Sequence, residues 1–449
     1  MPGYQREREA LLTIARQAVA AVSPGPALRA AVRLDGDRLT VDGETYDLNR
    51  YRRVLLLGAG KGAAAMAEAM ESILGDRLDH GLVVTKYGHG LPLVKTEVLE
   101  AAHPVPDEAG VRGAERLLDL AESAREDDLV LCIISGGASA LIPAPQSPVT
   151  LADKQEATRC LLACGADIHE INAVRKHLSR LKGGRLARAL APATVASLII
   201  SDVVGDDLDV IASGPTAPDS STYADCRAIL DRYRLCHQVP QSVEQLISTG
   251  CKGGMGETCK ATDDCFARVR NVIVAGNGMA LNGAANAARQ LGYEPVIVDP
   301  ALCGEARDKA SEMIRLAAEY AEGKKGIAGP VCLLAGGETT VTIRGNGKGG
   351  RNQEFALAAA LELAALGATG QRLAALSLGT DGTDGPTDAA GGLALPDTAV
   401  ADRLNAARAA LDVNDAYTFL DAAGTLLKTG PTRTNVMDVA AVLVSPKLR

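Results

Sequence analysis

Tryptophan is absent from this 449-residue chain, and phenylalanine occurs only three times. So few aromatic faces exclude the stacking platforms on which single-stranded nucleic acids are held. Positive charge is also short. The 47 Lys and Arg residues face 55 Asp and Glu, and the resulting net charge of −8 offers no basic footprint for DNA or RNA. No apolar run reaches the roughly 18 residues that a membrane-spanning helix needs. The amino terminus, charged from Arg6 onward, has no secretory core. The expectation is a cytoplasmic protein with small-molecule substrates and no nucleic-acid or membrane partner. The ten cysteines include no C-x-x-C pair. Cys251, Cys259 and Cys265 share a Gly-rich loop with no histidine beside them, so they read as plain thiols and not as zinc ligands.

Glycine, by contrast, is plentiful at the ends of apolar runs. VLLLGAGKG, VLCIISGGASA, VIVAGNGMAL and VCLLAGGET each read as a strand running into a glycine turn, and most lead into Ala-rich helical stretches. Strand, turn and helix in repetition predict an α/β protein with mostly parallel sheets. Ligands of such sheets gather beyond the carboxyl ends of the strands, where these glycines fall. An amphipathic helix is expected over 5–21, and a hairpin over 32–48 with Asp-Gly turns at 35–36 and 42–43. The length suggests two domains. The polar stretch STGCKGGMGETCKATDD marks the boundary, with a Rossmann-like α/β domain over 1–245 and a smaller α/β domain over 246–449. A cleft between them is the expected place for an active site.

Six motifs bear chemistry. In GGETTVTIRGNGKGGRNQE, Glu338 precedes a glycine turn holding Lys348 and Arg351, and a helical run follows at once. Helix N-terminal amides crowded by cations make a phosphate site. The turn GAGKGA at Gly58–Ala63 fits the dinucleotide fingerprint, yet the next strand ends in Thr85, Lys86 and Tyr87 with no carboxylate for a ribose. Lys61 inside that turn, next to Gly60, suits phosphoryl chemistry better. Ser135, Gly136, Gly137 and Ser139 form a third turn whose amides and hydroxyls can wrap a phosphate. Its plainer reading is a tight βα turn of small residues.

The fourth motif, NAVRKHLSRLKGG, gathers Arg175, Lys176, His177, Arg180 and Lys182. It is an anion site or a charged helix face. The fifth places Asp202, Asp206 and Asp207 beyond an apolar strand, where carboxylates suit Mg²⁺; an Asp-rich turn is the alternative. Asp381, Asp384 and Asp388 in GTDGTDGPTDAAGG repeat that theme.

Taken in order, GAGKGAAAMA, HPVPDE, SGGASAL, NAVRKHLSRLKGG, SDVVGDDLDVIASGPT, GNGMAL, GGETTVTIRGNGKGGRNQE, GTDGTDGPTDAAGG and GPTRTNVMD resemble the glycerate 2-kinase family, whose C-terminal portion is the MOFRL domain. The resemblance runs from about Ala10 to Val444. It implies a two-domain α/β enzyme that phosphorylates D-glycerate to 2-phosphoglycerate with Mg-ATP, its active site in the interdomain cleft. Lys61 and Arg351 match the family's essential lysine and arginine, with Asp202, Glu338 and Asp381 as further match positions. On this reading Gly60, Ser135, Gly136, Gly137, Ser139 and Asn277 of GNGMAL contact phosphate or substrate. Arg175 or Lys176 binds the glycerate carboxylate, and Asp202 or Asp206 directs Mg²⁺. A homodimer is the expected assembly. Some relatives carry the name hydroxypyruvate reductase, from tartrate degradation, and that NAD(P)H-dependent reaction is the alternative. One departure stands out. Arg433 replaces the last glycine of the usual G-P-T-G-T-N, and an arginine lacks a glycine's φ freedom.

Overall fold

The computed structural model describes residues 4–327, 329–400 and 402–445. It divides into two compact units. One comprises Ala27–Ser201 and Asp206–Val274; the other comprises Met1–Pro26, Asp202–Gly205 and Ala275–Arg449. The division therefore falls at 274/275 and not at the expected 245/246. The Gly-rich stretch after Gln238 is stitched into the first unit: Cys259 N–H donates to Gly183 O, and Asp219 N–H donates to Cys259 O. The helix Gln5–Ala21 belongs with the C-terminal half, because it packs on the helix Asn277–Gln290. The contact is close: a Cβ on Gly283 would lie 2.6 Å from the Ala21 methyl.

The first unit opens with a small antiparallel sheet, β1 (Val32–Asp35), β2 (Arg38–Val41) and β3 (Glu44–Asp47), turned by the two expected Asp-Gly pairs. Six further strands form its main sheet: β4 (Arg53–Ala59), β5 (His80–Lys86), β6 (Thr96–Ala101), β7 (Asp128–Ile134), β8 (Thr194–Ile200) and β9 (Val269–Ala275). Their order is β6-β5-β4-β7-β8-β9, with β4 through β8 pairing in parallel. The chain winds outward from β4 through β5 and β6, then crosses back to β7. That reversal makes a topological switch point between β4 and β7, the crevice where such sheets bind ligands. Both strands are apolar without alternation, and β7 is buried throughout, because a parallel sheet is covered on both faces.

The second unit holds β10 (Glu294–Glu305), β11 (Val331–Thr340), β12 (Leu373–Gly379), β13 (Gly391–Ala394), β14 (Leu426–Leu427) and β15 (Asp438–Val444) in the order β10-β11-β15-β12-β13-β14. Only β10 and β11 pair in parallel; β15 runs antiparallel to both β11 and β12. This sheet is mixed, where the repeated strand-turn-helix theme predicted parallel pairing. The last strand of the chain slots into the middle of the sheet and not onto its edge. Alanines line the helices Ala306–Ala321 and Arg351–Ala365, and their small side chains let the helices approach each other and the sheet closely around Phe355. No helix among the described residues is long and apolar enough to cross a membrane.

Candidate active site

In the first unit the turns after β4 and β7 interlock at the switch point. Gly60 has φ +140, and a Cβ there would lie 2.1 Å from Ser135 Oγ. Lys61 N–H donates to Gly136 O at 2.9 Å, and Gly62 N–H donates to Ser135 Oγ at 3.0 Å. Gly60 N–H is taken by Val84 O. The amides of the GAGKG turn are thus spent inside the fold, so Gly60 shapes the turn and does not cradle a phosphate. Ser135, expected as a phosphate ligand, is 1% exposed and serves as a strut. The N–H groups of Gly136 and Gly137 take no acceptor among the described residues. Gly137 sits at φ +84, and a Cβ there would lie 3.2 Å from Lys61 Cγ and 3.0 Å from His103 Cδ2. Only glycine lets both side chains cross the turn so closely. His89 Nδ1 lies 3.2 Å from Lys61 O, which brings a second imidazole to the same turn.

The helix Ile168–His177, started by a capping box of Asp167 and Glu170, brings Arg175 to this turn. Arg175 Nη2 donates to Ser139 Oγ at 2.7 Å; Lys182 Nζ donates to the same oxygen at 2.9 Å and to Ser139 O at 2.8 Å. A hydroxyl has two lone pairs and one proton. Both lone pairs of Ser139 are taken by cations, so its proton goes to Ser213 Oγ, 3.0 Å away, which in turn donates to Asn172 Oδ1 at 3.2 Å. Ser139, predicted to bind phosphate directly, is instead the bridge between two cations. Ala212, Ser213 and Gly214 hold this arrangement in three consecutive left-handed conformations, φ 55, 62 and 60. For the two non-glycines that costs about 1–2 kcal/mol each.

Lys182 is fully buried and Lys154 nearly so; among the described residues the Lys154 amine reaches only Leu178 O, at 3.2 Å. Burial, then the proximity of Lys154 and Arg175, pulls the Lys182 amine well below its ordinary pKa. Burial also lowers Lys154 and Arg175. Among the described residues no carboxylate pairs with any of the three. The neighbouring Lys176 is different. Its amine lies 2.8 Å from Asp209 Oδ2 and 3.1 Å from Asp219 Oδ1, so its charge is already met and it is not available to a substrate. His177 is structural: its ring packs edge-on against Tyr223 at 4.5 Å, and burial lowers its pKa.

In the second unit Arg351, the first residue of its helix, is held on two sides. Nε and Nη2 lie 2.5 and 3.0 Å from the two oxygens of Asp438, and Nη1 lies 2.6 Å from Glu338 Oε1. Burial raises the pKa of Asp438 to about 6 despite Arg351, whereas Asp438 holds Arg351 up against the opposite push of burial. Sequence reasoning missed Asp438; the only signal was its place at the end of GPTRTNVMD. The helix N-terminus itself is filled from within. Asp384 accepts from the amides of Asn352 (3.2 Å) and Gln353 (2.8 Å), and a Cβ on Gly350 would lie 2.4 Å from its Cγ. The phosphate expected on these amides is replaced by the chain's own carboxylate. Lys348 likewise lies over the Tyr417 ring, 3.7 Å from its centroid.

Three further predicted residues, Asn277, Asp381 and Asp202, lie in the second unit. Asn277 is 5% exposed and donates from Nδ2 to Val436 O and Asp438 O, so it anchors the start of β15. Asp381 accepts from Thr383 N and Oγ1, both at 2.9 Å, and Asp202 accepts from Asn435 Nδ2 at 3.4 Å. Among the described residues the only group of three metal-type donors is Cys259, Asp263 and Cys265, which the sequence spacing did not suggest. Asp202 and Asp206 belong to no such cage. A Mg²⁺ that arrives with phosphates takes only one or two protein carboxylates and keeps water in its shell.

Two family models match the chain: a domain of unknown function (DUF4147) over residues 10–248 and the MOFRL family over residues 331–438. The glycerate 2-kinase of Pyrococcus horikoshii is 40% identical over 98% of each chain. A protein of Agrobacterium vitis with the provisional name hydroxypyruvate reductase is 44% identical over 87% of each. Among solved structures, the glycerate kinase of Thermotoga maritima aligns with a TM-score of 0.84 at 38% identity, covering 98% of this chain and 100% of that one. Spanned almost end to end by these matches, the chain belongs to the glycerate 2-kinase family of phosphotransferases.

Proposed function

We propose that this enzyme transfers the terminal phosphoryl group of Mg-ATP to the 2-hydroxyl of D-glycerate, giving 2-phosphoglycerate and ADP. The observation that carries the reading is the cation cluster of Arg175 and Lys182 beside the Lys61 turn. Buried cations without a carboxylate are costly, and a chain of net negative charge has ample carboxylates to neutralise them. Left unneutralised, they suit an anionic substrate.

The reaction breaks the bond between the terminal phosphorus and its bridging oxygen as the acceptor hydroxyl bonds to phosphorus. The hydroxyl proton leaves to a base, for which Asp202 and Glu338 are the candidates. Catalysis of such transfers rests on positioning and charge neutralisation. Lys61, with its stem laid over Gly137, offsets the charge spread over the phosphoryl oxygens. The N–H groups of Gly136 and Gly137 donate to phosphate. Arg351, oriented by Asp438, supplies a rigid guanidinium for phosphate charge, and Asp381 orients substrate hydroxyls. Mg²⁺, directed by Asp202 or Asp206, would neutralise the nucleotide phosphates. The reductase alternative is weakened by the same geometry, since the fingerprint amides that would hold a pyrophosphate are committed to Val84, Gly136 and Ser135.

The test is turnover with ATP, Mg²⁺ and D-glycerate coupled to enolase, with no mutase present. Enolase consumes 2-phosphoglycerate directly, so a signal reports both transfer and its position. ADP release without that signal would move the transfer to another oxygen. NAD(P)H loss with hydroxypyruvate and untouched ATP would overturn the kinase reading.

A further inference from the structure

Arg175 uses one of its five N–H donors, on Ser139, and Lys182 uses two of three, both on Ser139. Behind them Lys154 adds a third positive group whose amine meets only one carbonyl. Every oxygen these three touch is neutral. The cluster is also stiff: Ser139 is fixed by Ser213 and Asn172, and Ser213 by its left-handed backbone. A stiff, enclosed, unneutralised pair of cations on a shared hydroxyl is arranged to receive a small planar anion.

We propose that Arg175 and Lys182, bridged by Ser139 Oγ and backed by Lys154, form a carboxylate subsite that selects hydroxy acids over uncharged polyols. This rests on the glycerate reading above and assigns roles in it to Lys182, which the basic motif contained without a role, and to Lys154, which lies outside every motif. Arg175 is the group that touches the ligand, through the planar fork that matches a carboxylate. Lys182 and Lys154 are positioning residues. They hold Ser139 and Arg175 in place and keep the local field positive, so the subsite ranks acceptors by charge. The Gly136–Gly137 amides donate to phosphate alongside Lys61, and the two anions of the reaction are thereby sorted within one turn.

The experiment compares D-glycerate with its uncharged amide, which keeps both hydroxyls, by acceptor-dependent ADP release in wild type, Lys182→Met and Arg175→Gln. For Lys182→Met, KM for D-glycerate is expected to rise on the order of 100-fold with kcat within about threefold. The kcat/KM for the amide is expected to stay near that of wild type. Equal losses on both acceptors, or a rise in KM for ATP in place of glycerate, would overturn the proposal; the latter would make the cluster a phosphate site. Should Lys182→Met not fold, Arg175→Gln must show the same split between charged and uncharged acceptors. Calorimetric titration of nucleotide-free protein with D-glycerate separates the two readings. Binding that weakens in the variants supports the subsite even where wild type fails the enolase assay, whereas turnover with unchanged binding in the variants removes it.

Discussion

The Lys61 turn and the Arg351 turn look alike on paper, each a cationic glycine turn between an apolar strand and an Ala-rich helix. Folded, they work differently. Around Lys61 the backbone amides of its own turn are consumed by the β7 turn and by Val84 of β5, and the neighbouring cations Arg175 and Lys182 face only neutral oxygens. Around Arg351 every charge is answered: Asp438 and Glu338 hold the guanidinium, and Asp384 fills the helix N-terminus. The first region is charged in advance for an anion, and the second is a guanidinium aimed by carboxylates. The same local pattern yields two devices, because the amides and cations of a turn are shared out by whatever packs against it.

From that contrast, the largest effect is expected in the first region. Lys61→Met should lower kcat by roughly 10³-fold, at the upper range for loss of one electrostatic contact, with little change in KM. Steady-state kinetics at saturating ATP and acceptor decides it, and near-normal turnover would remove Lys61 from the reaction.

Asp438→Asn tests the aiming of Arg351. Activity should fall about 100-fold, the lower range for one such contact. Stability at pH 7 should not fall, because the native fold already disfavours this ionised carboxylate. The sign follows from its pKa of about 6 in the fold, against an ordinary value near 4. Between these values the folded chain retains a proton that the unfolded chain has lost. The carboxyl's contribution to stability therefore declines as pH rises from about 4 to 6. Urea unfolding across that window should show the decline in wild type and its absence in the variant. A loss of several kcal/mol at pH 7 would make Asp438 a structural clamp instead.

Asp384→Ala strips the cap from the Arg351 helix and should cost about 2 kcal/mol, since two amides lose their acceptor. Added phosphate should then restore part of the loss, because the vacated N-terminus becomes an anion site. No phosphate effect would mean that the glycine turn does not open to solvent there. The smallest effect is at Arg433, which sits at φ +63. Arg433→Gly should raise stability by about 1 kcal/mol by removing left-handed strain, read as a shift of the urea midpoint with an unchanged slope.

Much of the first unit was legible before folding. GAGKG and SGGAS follow continuous apolar strands, and the Asp-Gly pairs at 35–36 and 42–43 turn a real hairpin. The arginine in place of a glycine also announced its own strain, which the φ of Arg433 bears out. The second unit was harder to read. VAAVLV is as consistent with an edge strand as with a central one, and only pairing with β11 and β12 settled the matter. The role of Asn277 followed from that insertion, since its amide ties down the start of the inserted strand.

By itself the sequence determined the strand-turn-helix grammar, the family, and which side chains bear chemistry, because glycine turns and apolar periodicity are local properties of the chain. Which of those side chains stay unneutralised was decided by tertiary structure alone. Lys176 and Lys182 are six positions apart in one basic run, yet one meets two aspartates and the other meets a serine. Charge pairing acts over a few ångströms in space, and nothing in the linear order of a basic run says which carboxylates the fold will carry to it.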